Sequence, residues 1–216
     1  VVFTLIFILL AVITFLPVVF VFIISISSEA SIAQNGYSFF PAELSLESYK
    51  YLWQSKDYIG RSFINSVGIT LIGTLIGLVL TSTLGYVLSR PNYYMKGLYT
   101  WMLIIPMLFS GGLVARYMVN TQIYHLKNTY WAMILPGACS TFYVIVMRTF
   151  FQTTLPDGII ESGKIDGASQ LRIFTQLVLP ISLPVIATIG LFLTFNYWNM
   201  WYGAMLYLDS NHRELY

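Results

Sequence analysis

Apolar and polar residues alternate along this chain in long blocks rather than at short periods. The first block, residues 1–26, is apolar for longer than the roughly 20 residues a bilayer-spanning helix needs. Four more follow at Ser62–Leu88, Leu98–Val114, Thr129–Met147 and Ile181–Leu208, so the pattern predicts five helical spans. A cleaved signal peptide ending near Ala33 is the rival reading of the first block, because Ser31-Ile32-Ala33 offers small residues there. Its length and the missing basic flank favour a retained helix.

The spans carry their own punctuation. Gly73, Gly77, Thr81 and Gly85 recur every four residues in the second, a small-residue stripe that lets another backbone approach; a contact within the chain or a dimer seam would both use it. Pro106 and Gly111-Gly112 are expected to bend or break the third span, and Pro136-Gly137 the fourth. Breaks of this kind are tolerated in membranes where the freed backbone faces protein or a wet cavity, and they mark transport paths. Residues 27–60 form a polar loop in which Leu46, Tyr49, Leu52 and Trp53 share one helical face after a Ser45 cap. That predicts a short helix lying at the interface or packed on neighbouring spans.

The passage from Leu155 to Pro184 is the long polar interruption of the C-terminal half. Pro156 and Asp157 suit a helix start, and the helix is expected to run to Ile165. Asp166-Gly167 is a turn dipeptide, and Ser169 can cap a second helix carrying Leu171, Ile173, Phe174, Leu177 and Val178 until Pro180 stops it. Gly158 to Lys164 also fits half of a phosphate-binding loop. Ile165 stands where a hydroxyl must hold magnesium and no strand precedes it, so the match reads as chance spacing.

Composition agrees with the pattern. The chain is 57% hydrophobic and 9% charged, with a mean hydropathy of +0.72, which describes an all-α membrane protein. A net charge of +2 with scattered basic residues excludes a nucleic-acid stripe. The single cysteine, Cys139, cannot form an internal disulfide. Arg90, Lys96, Arg148, Lys164 and Arg172 on one face meet Lys50, Lys56, Arg61, Arg116, Lys127 and Arg213 on the other, so charge counting leaves orientation open. The spans themselves contain no Asp, Glu, Lys, Arg or His, which argues against secondary transport but leaves backbone-bound sodium open. His125 and His212 have no metal-site spacing, and no nucleophile, base and acid assemble into a catalytic or metal site. Near the end of the fifth span, Thr194, Asn196, Tyr197, Trp198 and Asn199 offer hydrogen bonds and flat faces to a sugar. An aromatic belt is the other reading, and Trp201 and Tyr202 go mostly to it.

Glu161-Ser162-Gly163, Asp166-Gly167-Ala168, Phe174, Leu179-Pro180 and Pro184 together carry a resemblance. They resemble the cytoplasmic-loop motif E-A-A-x-x-D-G-A, then Phe, then L-P-x-x-x-P, of permease subunits of bacterial ABC importers of the maltose type, departing where Ser162 and Gly163 replace two alanines. Asn65-Ser66, Leu126 to Pro136, Arg148 to Phe151 and Trp198-Asn199 extend the likeness. Tyr37 to Pro41, Ser110-Gly111-Gly112 and Tyr197 to Trp201 resemble the branch for oligosaccharides and polysaccharides, alginate importers included.

The resemblance implies a type I importer fold over a single transmembrane domain, 1–216, with an extracytoplasmic loop at 27–60 and a cytoplasmic coupling loop at 155–180. Both chain ends read as cut, and a sixth span is expected beyond Tyr216. It implies a bacterial inner-membrane subunit working with a second permease, two ATPase subunits that bind ATP and magnesium, and an extracytoplasmic solute-binding protein; this chain would carry no cofactor of its own. Glu161, Ser162, Gly163, Ile165, Asp166, Gly167, Ala168, Leu171 and Phe174 would form the coupling contact. Glu161 would meet an arginine of the ATPase, and Ile165, Leu171 and Phe174 would supply an apolar grip. A secondary carrier or channel and a non-transporting scaffold are the alternatives. The sugar and the identity of the second permease stay open.

Overall fold

The computed structural model describes residues 2–91 and 93–209. His212, Arg213 and the sixth span expected after Tyr216 lie outside the described residues. The described chain is helical, apart from one isolated antiparallel bridge between Ser27 and Leu44. The single domain expected over 1–216 comprises two compact units, Val1–Gly60 and Arg61–Tyr216.

In the first unit, α1 (Val2–Ser25) is apolar on every side and buries none of its residues. At about 1.5 Å per residue its 24 residues are long enough for a hydrocarbon layer. The following segment folds back on it. Ser28 N–H donates to Glu43 O and Ser45 N–H to Ile26 O, while Phe20 and Phe39 rings sit 4.5 Å apart. The loop holds a helix that the pattern did not predict, α2 (Glu29–Asn35), because the Ser28 hydroxyl accepts from Ser31 N–H and caps it. The expected short helix is α3 (Glu47–Gln54); Ser45 accepts from Glu47 N–H at its start, and its apolar residues stay exposed.

The second unit is organised on α4 (Lys56–Ser89, with Lys56–Gly60 on the first unit's side of the division), whose start lies six residues ahead of the predicted Ser62; Gly60 is carried within the helix and no proline interrupts it. Gly73, Gly77, Thr81 and Gly85 are all buried along it. A Cβ on Gly73 would lie 2.6 Å from the Tyr197 ring, one on Gly77 3.0 Å from Leu193, and one on Gly85 2.8 Å from Met147. The stripe is therefore spent on packing within the chain, against α8 (Thr141–Thr154) and α12 (Leu183–Trp198).

The third block is broken into α5 (Lys96–Leu108) and α6 (Gly112–Met118), and neither is long enough to span alone. Pro106 is carried inside α5; the break comes at Phe109–Gly111, where Gly112 adopts φ +76°. A π-helical stretch, Val119–Ile123, continues α6. The fourth block is α7 (Tyr130–Ile134) with a 3-10 turn at Leu135–Gly137, then α8 at 47° to it.

The polar passage gives α9 (Asp157–Ile165) and α10 (Gln170–Ile173), both as the sequence predicts. Pro180, however, does not stop the second helix. A π-helical stretch, Phe174–Val178, rephases the hydrogen bonds so that the proline, which has no N–H, falls in the first turn of α11 (Leu179–Ile181). The chain turns instead at Ser182, whose N–H is shared between Val178 O and Leu179 O, and α12 leaves at 82° to Gln170–Ile181. The fifth block is also divided: Asn199 donates its amide to Phe195 O at 2.8 Å and ends α12 before α13 (Trp201–Tyr207). By length and composition, two helices among the described residues can cross a bilayer, Val2–Ser25 and Lys56–Ser89, or four if each bent pair counts as one.

Candidate functional site

Two constellations stand at opposite ends of α8, whose 14 residues separate them by about 20 Å. At its C-terminal end Arg90 gathers three elements. Its guanidinium lies over the Tyr86 ring of α4 at 5.2 Å, donates to Phe151 O of α8 at 3.5 Å and meets Asp157 Oδ1 of α9 at 3.2 Å. Tyr86 in turn sits edge-on to Phe151 and 5.1 Å from Phe174. The start of α9 is thereby pinned to two long helices.

The turn that follows closes α9 with paired bonds. Ala168 N–H donates to Gly163 O and Gly167 N–H to Lys164 O, an arrangement that needs the left-handed conformation Gly167 supplies at φ +74°. Ser169 then caps α10 by accepting from Arg172 N–H at 3.3 Å. Gly163 is buried where α9 crosses the next helix, and a Cβ there would meet Ile173 at 3.2 Å and Leu177 at 3.3 Å. The glycine that weakens α9 as an isolated helix also allows the two helices to close on each other.

Of the coupling residues predicted, Glu161, Ser162, Ile165, Asp166, Gly167 and Leu171 face outward, Ala168 is half-buried, and Gly163 and Phe174 are buried. Ile165 is 85% exposed and Leu171 72% exposed, an apolar pair on either side of the turn. Phe174 instead packs inward on Tyr86. Glu161 has no ionic or hydrogen-bonding partner among the described residues, and with Arg90, Tyr93, Asp157, Lys164 and Gln170 it lines a groove of about 420 Å³. Arg90, treated in the sequence as one more basic loop residue, is the organising cation here; the Arg-Pro pair closing α4 was the available sign.

At the N-terminal end of α8 lies a cavity of about 590 Å³. The 3-10 turn Leu135–Gly137, the start of α8, α6 with its π-helical extension and the end of α12 surround it. Asn196 and Tyr197 belong to its wall, while Thr194, Trp198 and Asn199 do not. Asn196 Nδ2 donates to Tyr143 Oη at 2.9 Å. Tyr197 is 2% exposed and donates to Ile134 O at 2.8 Å, so its ring is mostly core over Gly73. Thr194 reaches Thr74, Trp198 sits edge-on to Phe63, and Asn199 is turned back on its own helix.

The same wall holds residues that sequence reasoning passed over, Arg116 and Asn120 above all. Asn120 is 7% exposed and its amide donates to Tyr207 Oη at 2.8 Å. Arg116 was counted among loop charges because the third block ends at Val114; in the fold α6 carries it on to the cavity. A helix restarting after Gly111-Gly112 was the signal that could have found it.

No family model matches the chain. It is 38% identical over 201 residues to the polygalacturonan/rhamnogalacturonan transport system permease protein YtcP of Bacillus subtilis, covering 93% of this chain and 69% of that protein. It is also 38% identical to protein LplC of the same organism, over 92% of this chain and 66% of the relative, so the chain spans about two thirds of these relatives. Its fold matches a crystal structure of a bacterial ABC transporter involved in the import of the acidic polysaccharide alginate. That match has a TM-score of 0.87 and 25% identity, over 99% of this chain and 75% of the other.

Proposed function

The chain belongs to the permease subunits of ABC sugar importers, and from that premise we propose that it moves an oligo- or polysaccharide by alternating access, driven by ATP hydrolysis in partner subunits. The observation that carries the reading is the 38% identity to a polysaccharide-transport permease over 93% of the chain. The complex we envisage contains a second, similar permease, two ATPase subunits holding ATP and magnesium, and an extracytoplasmic binding protein, in the bacterial inner membrane.

In this reading Glu161, Ile165 and Leu171 meet the ATPase. The acid has no partner among the described residues and the two apolar side chains flank it on the same exposed turn, a pattern suited to a groove with a basic wall. Arg90 then makes the turn a handle. Because it ties α9 to both α4 and α8, displacing the handle moves two long helices together. Of these, α8 runs to the cavity and α4 packs behind its Tyr197 wall, so closure of the ATPase dimer would rock the cavity walls as rigid bodies.

The test is ATP hydrolysis by the co-purified complex in lipid vesicles, with and without binding protein, across neutral and acidic oligosaccharides. Stimulation by binding protein plus one sugar class is expected, and Glu161→Ala should abolish it by releasing the ATPase. If Glu161→Ala leaves association and transport intact, the docking assignment is wrong. If no ATPase co-purifies and an ion gradient alone drives uptake, the chain is a carrier.

A further inference from the structure

We infer that the cavity at the N-terminal end of α8 is a subsite for a carboxylate-bearing saccharide, with Arg116 as the cation that reads the carboxylate. The inference rests on the importer reading and names its cargo as acidic. Among the described residues lining the cavity, Arg116 alone is charged, and no hydrogen bond or ion pair satisfies it. Its side chain is exposed rather than packed, so the planar guanidinium fork is open to a ligand and matches the two oxygens of a carboxylate.

The remaining wall supplies what a sugar ring needs. Asn120 and Asn196 each donate an amide proton to a tyrosine, Tyr207 and Tyr143, which fixes the side chains and leaves their carbonyl oxygens as acceptors for hydroxyls. Tyr143 is held in place by stacking on Phe192 with planes 2° apart, and the exposed ring of Phe142 lines the same space. A fixed cation, two amide acceptors and an aromatic face complement a uronate, which carries a carboxylate, several hydroxyls and an apolar C–H face. The volume, about 590 Å³, lies within the roughly 300–1,000 Å³ of small-molecule sites. A π-helical stretch places Asn120 in the wall, a local irregularity that recurs at functional sites.

Cys139 lines the same cavity and is the chain's single cysteine, so it reports on the site directly. In an assembly whose partner subunits lack cysteine, an anionic methanethiosulfonate should modify Cys139 faster, relative to a cationic one, by about tenfold in the wild type over Arg116→Gln. An unchanged ratio overturns the proposal whatever the cargo proves to be.

The second arm compares trimers of galacturonate and mannuronate with their methyl esters, reading both Cys139 protection and stimulated ATP hydrolysis. The acids should act at about tenfold lower concentration than the esters, Arg116→Gln should bring that preference toward one, and Arg116→Lys should restore part of it. Equal response to acid and ester sinks the subsite while leaving the importer intact, whereas absence of any sugar response with a failed ATPase association sinks the importer reading instead. A charge effect seen only with phosphatidylglycerol and lost in phosphatidylcholine vesicles would give Arg116 to a lipid phosphate. Weakened binding-protein association with unchanged acid preference would make it a docking contact. Either result overturns the proposal.

Discussion

Arg90 and Arg116 are the same side chain at the two ends of one helix, and their surroundings differ in kind. Arg90 is spent: a ring beneath it, a carbonyl, a hydroxyl and a carboxylate use its donors. Arg116 is exposed, and among the described residues it has none of these and its cavity offers no acid. A cation whose guanidinium is engaged by three partners and a ring inside the chain holds the fold together. One that the fold leaves exposed on a cavity wall, without a partner among the described residues, is open to a ligand. The two neighbourhoods divide the same way, with packed aromatic rings under Arg90 and free amide oxygens beside Arg116.

The largest effect should come from the wall that separates cavity from core. Gly73→Ala drives a methyl to within 2.6 Å of the Tyr197 ring, whose hydroxyl is also tied to Ile134 O. Neither the ring nor the helix backbone can give easily, so we expect a loss of roughly 1–3 kcal/mol and a lower thermal midpoint in detergent. A midpoint equal to wild type would mean that Tyr197 swings freely and that the cavity is wider than described.

Next comes Arg90→Met. The pair with Asp157 contributes little by itself, since that carboxylate is 70% exposed. The part-buried donor to Phe151 O and the cover over Tyr86 matter more, and about 1–2 kcal/mol is expected. Arg116→Met should leave the midpoint near wild type. Were both arginines to cost the same, the contrast between a structural and a ligand-reading cation would collapse.

Arg116→His sharpens the contrast without unfolding anything. Imidazole is cationic below a pKa of about 6.5, and among the described residues no acid lines the cavity. The preference for acidic over esterified sugar should therefore be present at pH 5.5 and fade as pH rises through 7.5. Wild-type arginine should show no such slope across that range.

The sequence made the helical class and the coupling turn readable because both depend on local chemistry. Pro156, Gly167 and Ser169 act within a few residues of themselves: Gly167 and Ser169 do what their types predict, and Pro156 stands one place early, as the extended residue before α9. The small-residue stripe of α4 was visible too, although only the fold shows that Tyr197, Leu193 and Met147 fill it. What escaped depends on register or on distant partners. Pro180 was read as a stop because a π-helical stretch cannot be seen in the pattern, and Phe174 was placed on the outer grip although it packs under Tyr86. Arg116 escaped because a broken span was measured as an apolar block, which ends two residues too soon.

The smallest effect is the most exacting, because here sequence and structure pull in opposite directions. By propensity Gly163→Ala should strengthen α9 by about 1 kcal/mol, and the motif this loop resembles has alanine at that place. In the fold the new methyl would press on Ile173 at 3.2 Å and Leu177 at 3.3 Å. Both contacts are with outer atoms of aliphatic side chains, so a shift of a few tenths of an ångström relieves them, unlike the ring that faces Gly73. We expect the two terms nearly to cancel, with a thermal midpoint within about 1 kcal/mol of wild type. If Gly163→Ala raises the midpoint and leaves ATPase stimulation unchanged, the seam between α9 and α10 has slack. If the midpoint holds while stimulation falls, the handle depends on how closely these two helices approach, and Gly163 sets that distance.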